Sequence, residues 1–288
     1  MPLQLITDQQ TQTGENPLWH PVEKKLYFTD IPTGRLFRYD PAKDETEQFY
    51  AGDTVGGFTF QADGSLLLFM ERGRIALWRD GELTTLIDEI PAERESRFND
   101  VIADPQGRVF CGTMPSLSAG GRLYRLERDL GLVPLVDDVQ ISNGMGFTRD
   151  YKHFYYTESE AHKIYLFDYD QATGELANQH VWKDFSTEPG VPDGMTVDSE
   201  GCIWSARWNG NGVFRYSPEG ELLEKIEIPA KKVSSVCFGG DDLRDLYITT
   251  ALDGGTKAEE GEGAGALFLL RVDVAGVPEF YSKINISS

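Results

Sequence analysis

The chain has 288 residues, 40% of them hydrophobic and 11% aromatic, enough to build a large core. Its 47 acidic against 27 basic residues give a net charge of -20, a field that repels phosphate backbones and anionic lipid and argues against nucleic acid or membrane partners. There is no long apolar run for a membrane span, and the start MPLQLITDQQ lacks the basic and apolar segments of a secretory signal, so the expected location is the cytoplasm.

In chain order the predicted elements are short strands separated by turns. LQLITD (residues 3–8) has strand character and precedes the first copy of a repeated phrase. That phrase is an apolar strand, a turn with Asp, Pro or Gly, an aromatic-rich strand, and a third strand ending in a turn. The copies begin at NPLWHPVEKKLYFTD, GGFTFQADGSLLLFM, NDVIADPQGRVFCGT, NGMGFTRDYKHFYYT, DGMTVDSEGCIWSAR and SSVCFGGDDLRDLYI. Aligned on the apolar residue before the first turn (Trp19, Phe60, Ala103, Phe147, Val197 and Phe238), they are spaced 41, 43, 44, 50 and 41 residues apart. That period is the one expected of four-stranded propeller blades. Alternation as in KIYLFDY suits strands, and helical periodicity is absent. The expectation is an all-β, six-bladed β-propeller with four-stranded antiparallel blades, one domain over residues 1–288. Residues 3–8 are expected to close the ring by adding an outer strand to the last blade, near VPEFYSKI. The Gly- and Glu-rich stretch 253–265 reads as a mobile loop. Cys111, Cys202 and Cys237 lie in apolar runs without CxxC spacing and are expected to be buried free thiols.

Four residues before each aligned apolar position stand Glu15, Gly56, Asn99, Asn143, Asp193 and Ser234. The innermost strands of a propeller surround its channel, so these residues form a ring at one mouth. Two carboxylates and two carboxamides converging there would repel one another or stay unsatisfied unless a hard cation joins them. Oxygen donors favour Ca²⁺, with Mg²⁺ or Mn²⁺ as alternatives; Zn²⁺ and Fe²⁺ suit the set less without His or Cys. Asn and Asp also suit turns and strand entries, but four at one phase exceed what that explains. The silent members, Gly56 and Ser234, mark the side where a substrate is expected to have room.

At GENPLW, RFND, FCGTM, ISNGMGF, VPDGM and CFGG the chain resembles the regucalcin, gluconolactonase and luciferin-regenerating enzyme family, over nearly its whole length. The resemblance implies a six-bladed propeller, a divalent metal in the channel and hydrolysis of sugar lactones. It places the metal ligands on Glu15, Asn143 and Asp193, with Asn99 at the metal or beside it, and a substrate-binding arginine on Arg97. Animal members carry a longer lid with an acidic contact where this chain has only PSLSAGGRLY, so their substrate choice does not transfer.

The mechanism expected on these residues is water attack on a lactone carbonyl polarised by the cation. Asp193 is the candidate general base, and Arg97 and Asn99 hold the lactone oxygens. A related esterase or phosphotriesterase and a non-enzymatic calcium-binding scaffold are the alternatives. Trp208, Asn209 and Glu158 are further candidates for the channel mouth. No nucleophile elbow, zinc-binding histidine spacing or phosphate-binding glycine loop appears.

Overall fold

The computed structural model describes residues 2–285, so Met1 and residues 286–288 of the expected domain lie outside the described residues. Its strands form six four-stranded antiparallel sheets, each one blade. Blade 1 begins with the inner strand Gly14–His20, blade 2 with Val55–Phe60 and blade 3 with Phe98–Ala103. Blades 4, 5 and 6 begin with Ser142–Phe147, Val191–Val197 and Val233–Gly239. Each inner strand packs on the next, and that of blade 6 packs back on blade 1, which closes the ring. Among the described residues, no helix is long and apolar enough to cross a membrane.

Burial explains why the second strands are nearly continuous apolar runs: Leu66–Met70 and Val109–Thr113 are buried at every residue, with neighbouring blades on both faces. The turn after each inner strand has its own local cause. Asp104 and Asp198, both wholly buried, follow the aligned apolar residues Ala103 and Val197. Each accepts two backbone N–H bonds from its own turn: Asp104 Oδ1 from Gln106 and Arg108, Asp198 Oδ1 from Glu200 and Cys202. An Asx-type turn of this kind satisfies donors that the hairpin would otherwise bury unpaired.

Gln4–Asp8 supplies the outer strand of blade 6, as expected, but its partner is Ala266–Arg271. The segment 277–284 does something else. The inner strands run from the ring residues toward Phe60, Phe147 and Phe238, and the chain after Arg271 crosses that far end. Gly276 lies against Phe238, and Phe280 and Tyr281 pack on Phe147 and Phe60. Ser282 N donates to Phe60 O at 2.8 Å, and Lys283 N to Gly107 O at 2.8 Å. VPEFYSKI is thus a strap across the channel floor, not a blade strand.

The stretch 253–265 is also built differently from the mobile loop expected. It holds a helical turn, Lys257–Glu260, opened by a Thr256–Glu259 capping box. Lys232 ties it down through ion pairs to Glu260 at 2.9 Å and Asp253 at 3.4 Å. The glycines and glutamates that read as disorder serve a cap and a buried ammonium. The three cysteines are free and buried.

Candidate active site

Every inner strand breaks register with its second strand at the same place. The slips fall between Glu15 and Leu18, Val55 and Gly57, and Phe98 and Val101. They recur between Asn143 and Met145, Pro192 and Met195, and Val233 and Ser235. A bulge bends the strand and re-aims the side chain beside it. Six such bulges at one level turn the ring positions away from the ordinary pleat.

Four of the ring residues, Glu15, Asn99, Asn143 and Asp193, line one cavity together with Arg97. Its volume is about 240 Å³, and Met114, Ile141, Val191 and Trp208 add apolar walls. That size suits a monosaccharide better than a longer glycan. Gly56 and Ser234 do not line it. A Cβ on Gly56 would stand 2.0 Å from Phe98 O, so blade 3 fills that side. Ser234 is wholly buried and donates to Gly14 O. The room expected beside these two residues is therefore absent, and the cavity opens instead toward blades 3, 4 and 5.

The hydrogen bonds fix how the amides face. Arg97 Nη1 donates to Asn99 Oδ1 at 2.8 Å and to Phe98 O at 2.8 Å. Asn99 Nδ2 donates to Ser142 O at 2.8 Å and reaches Asn143 Oδ1 at 3.3 Å. A guanidinium can only donate and a carbonyl can only accept, so this orientation of Asn99 is unique. Asn143 Nδ2 in turn donates to Ser159 Oγ at 3.0 Å. Glu15 Oε2 accepts the Asn16 N–H at 2.9 Å.

Charge in the cavity is unbalanced. Burial pushes the Glu15 carboxyl well above its ordinary range, and the neighbouring Asp193 and Asp100 push it further. Asp193 is raised in the same sense, by burial first and by Asp100 next. Asp100, which is partly buried and does not line the cavity, is pushed up to about 7 by desolvation. Arg97, the nearby cation, is itself held down to about 10 by burial. Among the described residues no three acidic, histidine or cysteine side chains converge as a metal cluster. The available donor set is two carboxylates and two carboxamides, all oxygen, which fits a hard cation and would relieve the excess negative charge.

Trp208 lines the mouth as expected. Asn209 is an exposed turn residue at φ +60°, and Glu158 caps Ile141 N at 3.3 Å; neither lines the cavity. The acidic residues at the rim are Glu160 and Asp253, supplied by other loops than the short link after Met114. Sequence reasoning missed Ser159, Glu160 and Asp100. The first two follow the second strand of blade 4, outside the inner-strand phase, whereas Asp100 stands in RFND, next to a chosen residue.

Residues 13–252 match the family model described as the SMP-30/Gluconolactonase/LRE-like region. The chain belongs to this family. It is 48% identical to a pentonolactonase of Haloferax volcanii, over 98% of each chain. It is 34% identical to a 6-deoxy-6-sulfogluconolactonase of Pseudomonas putida, over 96% of this chain and 97% of that one. Regucalcin of Bos taurus is 32% identical, over 96% of this chain and 97% of its own. A solved luciferin-regenerating enzyme superposes with a TM-score of 0.90 at 28% identity, covering 98% of this chain and 99% of that one. Within the SMP-30/gluconolactonase/LRE-like match lie all five cavity residues named above, while the ring-closing strand and the floor strap fall outside it.

Proposed function

We propose that this protein hydrolyses sugar lactones with the help of one divalent cation, Ca²⁺ foremost, held by Glu15, Asn143 and Asp193. The observation that carries the proposal is the pairing of two buried, mutually repelling carboxylates with an inward carboxamide oxygen, beside Arg97, at the base of a monosaccharide-sized cavity. The strong likeness to lactonases that act on pentono- and sulfogluconolactones supports the substrate class.

A cation in this set supplies Lewis-acid polarisation of the lactone carbonyl and lowers the pKa of water near it. The rest is the work of the chain. Arg97 and Asn99 bind the lactone oxygens, the guanidinium supplying charge-assisted bonds. Asp193 takes the proton from the attacking water. Met114, Ile141, Val191 and Trp208 receive the C–H faces of the sugar ring.

The test is a panel of pentono- and hexonolactones, assayed after chelation and after adding back Ca²⁺, Mg²⁺, Mn²⁺, Zn²⁺ and Fe²⁺ singly. Turnover should vanish on chelation and return with an oxygen-preferring ion. Metal-independent turnover removes the cation from the mechanism, and no turnover of any lactone leaves a non-enzymatic cation-binding propeller.

A further inference from the structure

We propose that Ser159 is a positioning residue: it sets which end of the Asn143 carboxamide faces the cation and couples that amide to the backbone of Asp193. The role rests on the cation reading above, and its argument is one of donors and acceptors.

Ser159 follows the second strand of blade 4, His153–Glu158, and is buried. Its own place is fixed by Ser159 N donating to Ile141 O at 3.1 Å and by its carbonyl accepting His162 N at 2.9 Å. Its hydroxyl donates to Pro192 O at 2.7 Å. A serine hydroxyl has a single proton. With that proton committed to a carbonyl, Ser159 Oγ can meet Asn143 only as an acceptor. The Asn143 NH₂ must therefore point at Ser159, and its Oδ1 must point into the cavity.

The placement is part of a pattern. The carbonyl just before each proposed ligand accepts a side-chain bond from the preceding blade: Gly14 O from Ser234, Ser142 O from Asn99, and Pro192 O from Ser159. Each contact sets the backbone at a bulge, and hence the aim of the ligand that follows it. Ser159 alone of the three also bonds a second ligand through its side chain. It thus joins Asn143 on blade 4 to Asp193 on blade 5.

Without the hydroxyl, the Asn143 amide keeps the 3.3 Å contact from Asn99 Nδ2 and its side-chain interaction with the Asp193 carboxylate, but its NH₂ loses the acceptor at 3.0 Å and Pro192 O loses its donor. Partners that orient metal ligands typically change metal affinity by about 10- to 100-fold when removed. The experiment is calorimetric titration of the chelated, full-length protein with Ca²⁺, without substrate. It compares the unmodified chain with Ser159→Ala, Ser159→Thr, Asn143→Asp and the Ser159→Ala/Asn143→Asp pair, with the melting temperature of each cation-free protein recorded alongside.

Ser159→Ala should weaken Ca²⁺ binding by about tenfold or more, and Ser159→Thr, which keeps the hydroxyl, should restore most of it. In the Asn143→Asp background the effect should shrink to within about threefold, because a carboxylate presents oxygen at either end. Unchanged affinity in Ser159→Ala overturns the proposal. So does an equal loss in both backgrounds, which would mark a general packing defect. Failure of the unmodified protein to bind Ca²⁺, or Mn²⁺ titrated in the same way, removes the cation reading itself, and is separable from both results.

Discussion

Arg97 and Asn99 are joined side chain to side chain, Nη1 to Oδ1 at 2.8 Å, and the bond faces the cavity that both residues line. The amide oxygen of Asn99 is therefore shared with a guanidinium, whereas that of Asn143 is met only by an amide N–H at 3.3 Å. On the function proposed above, this difference assigns Asn99 to the substrate side of the site and Asn143 to the cation side.

Asn99→Ala should accordingly lower kcat/KM for a pentonolactone more than it weakens cation binding. A bond to a charged group is worth about 1.5–3 kcal/mol, or roughly ten- to a hundredfold in kcat/KM. Arg97→Lys should fall in the same range, because an ammonium cannot hold Asn99 and Phe98 O together with substrate in one planar fork. Steady-state kinetics beside calorimetric cation titration separates the two effects; an Asn99→Ala variant that loses affinity and rate in equal measure would return Asn99 to the ligand set.

Asp193→Ala, assayed at saturating cation, should cost about 10²–10⁴-fold in kcat, the usual range for a general base. Glu15→Gln should instead act chiefly on cation affinity and recover much of its turnover as cation is added. Retention of full activity by Asp193→Ala would end its role as base.

Four raised carboxyls predict an unusual pH dependence for the cation-free protein. Glu15, Asp193, Asp100 and, on the strap, Glu279 all have folded-state pKa values above their ordinary ones, Asp100 and Glu279 at about 7. Between the ordinary and raised values the folded state binds more protons than the unfolded one, so stability falls as pH rises through that window. The chelated protein should melt at a higher temperature near pH 6 than near pH 8. Added Ca²⁺ should reduce the difference, since the cation takes over the neutralising role of the protons in the cavity, and leave the part that Glu279 on the strap contributes. Scanning calorimetry in both states checks the sign.

Gly56→Ala should destabilise the ring between blades 2 and 3 by about 1–3 kcal/mol, because its Cβ would meet the carbonyl of Phe98 at 2.0 Å and backbone has to move. Urea denaturation measures the loss.

The fold and the ring of residues that line the cavity were legible in the sequence because both repeat. Six copies of one strand-turn-strand phrase gave the period, and a shared offset picked out Glu15, Asn99, Asn143 and Asp193. What had no counterpart in the other blades was not legible. Ser159 is an ordinary serine after a second strand until its partners Asn143 and Pro192 are seen. The segment 277–284 is expected beside the strand that closes the last blade, yet it packs on the far ends of the inner strands instead of joining a sheet. Glycine misleads in both directions here: at 56 it marks close packing where open space was expected, and in 253–265 it belongs to a tethered turn.

The strap crosses one end of the channel, so the cavity is reached from the other. If the reaction is the one proposed, a neutral lactone and its ionised acid must use the same passage. Glu160 and Asp253 stand at that threshold. Asp253 shares its charge with Lys232, but Glu160 leaves an uncharged visitor largely untouched and repels the anion it becomes, so hydrolysis itself would convert the substrate into something the doorway pushes outward. A floor laid by eight residues of tail would in this way give traffic through the site its direction.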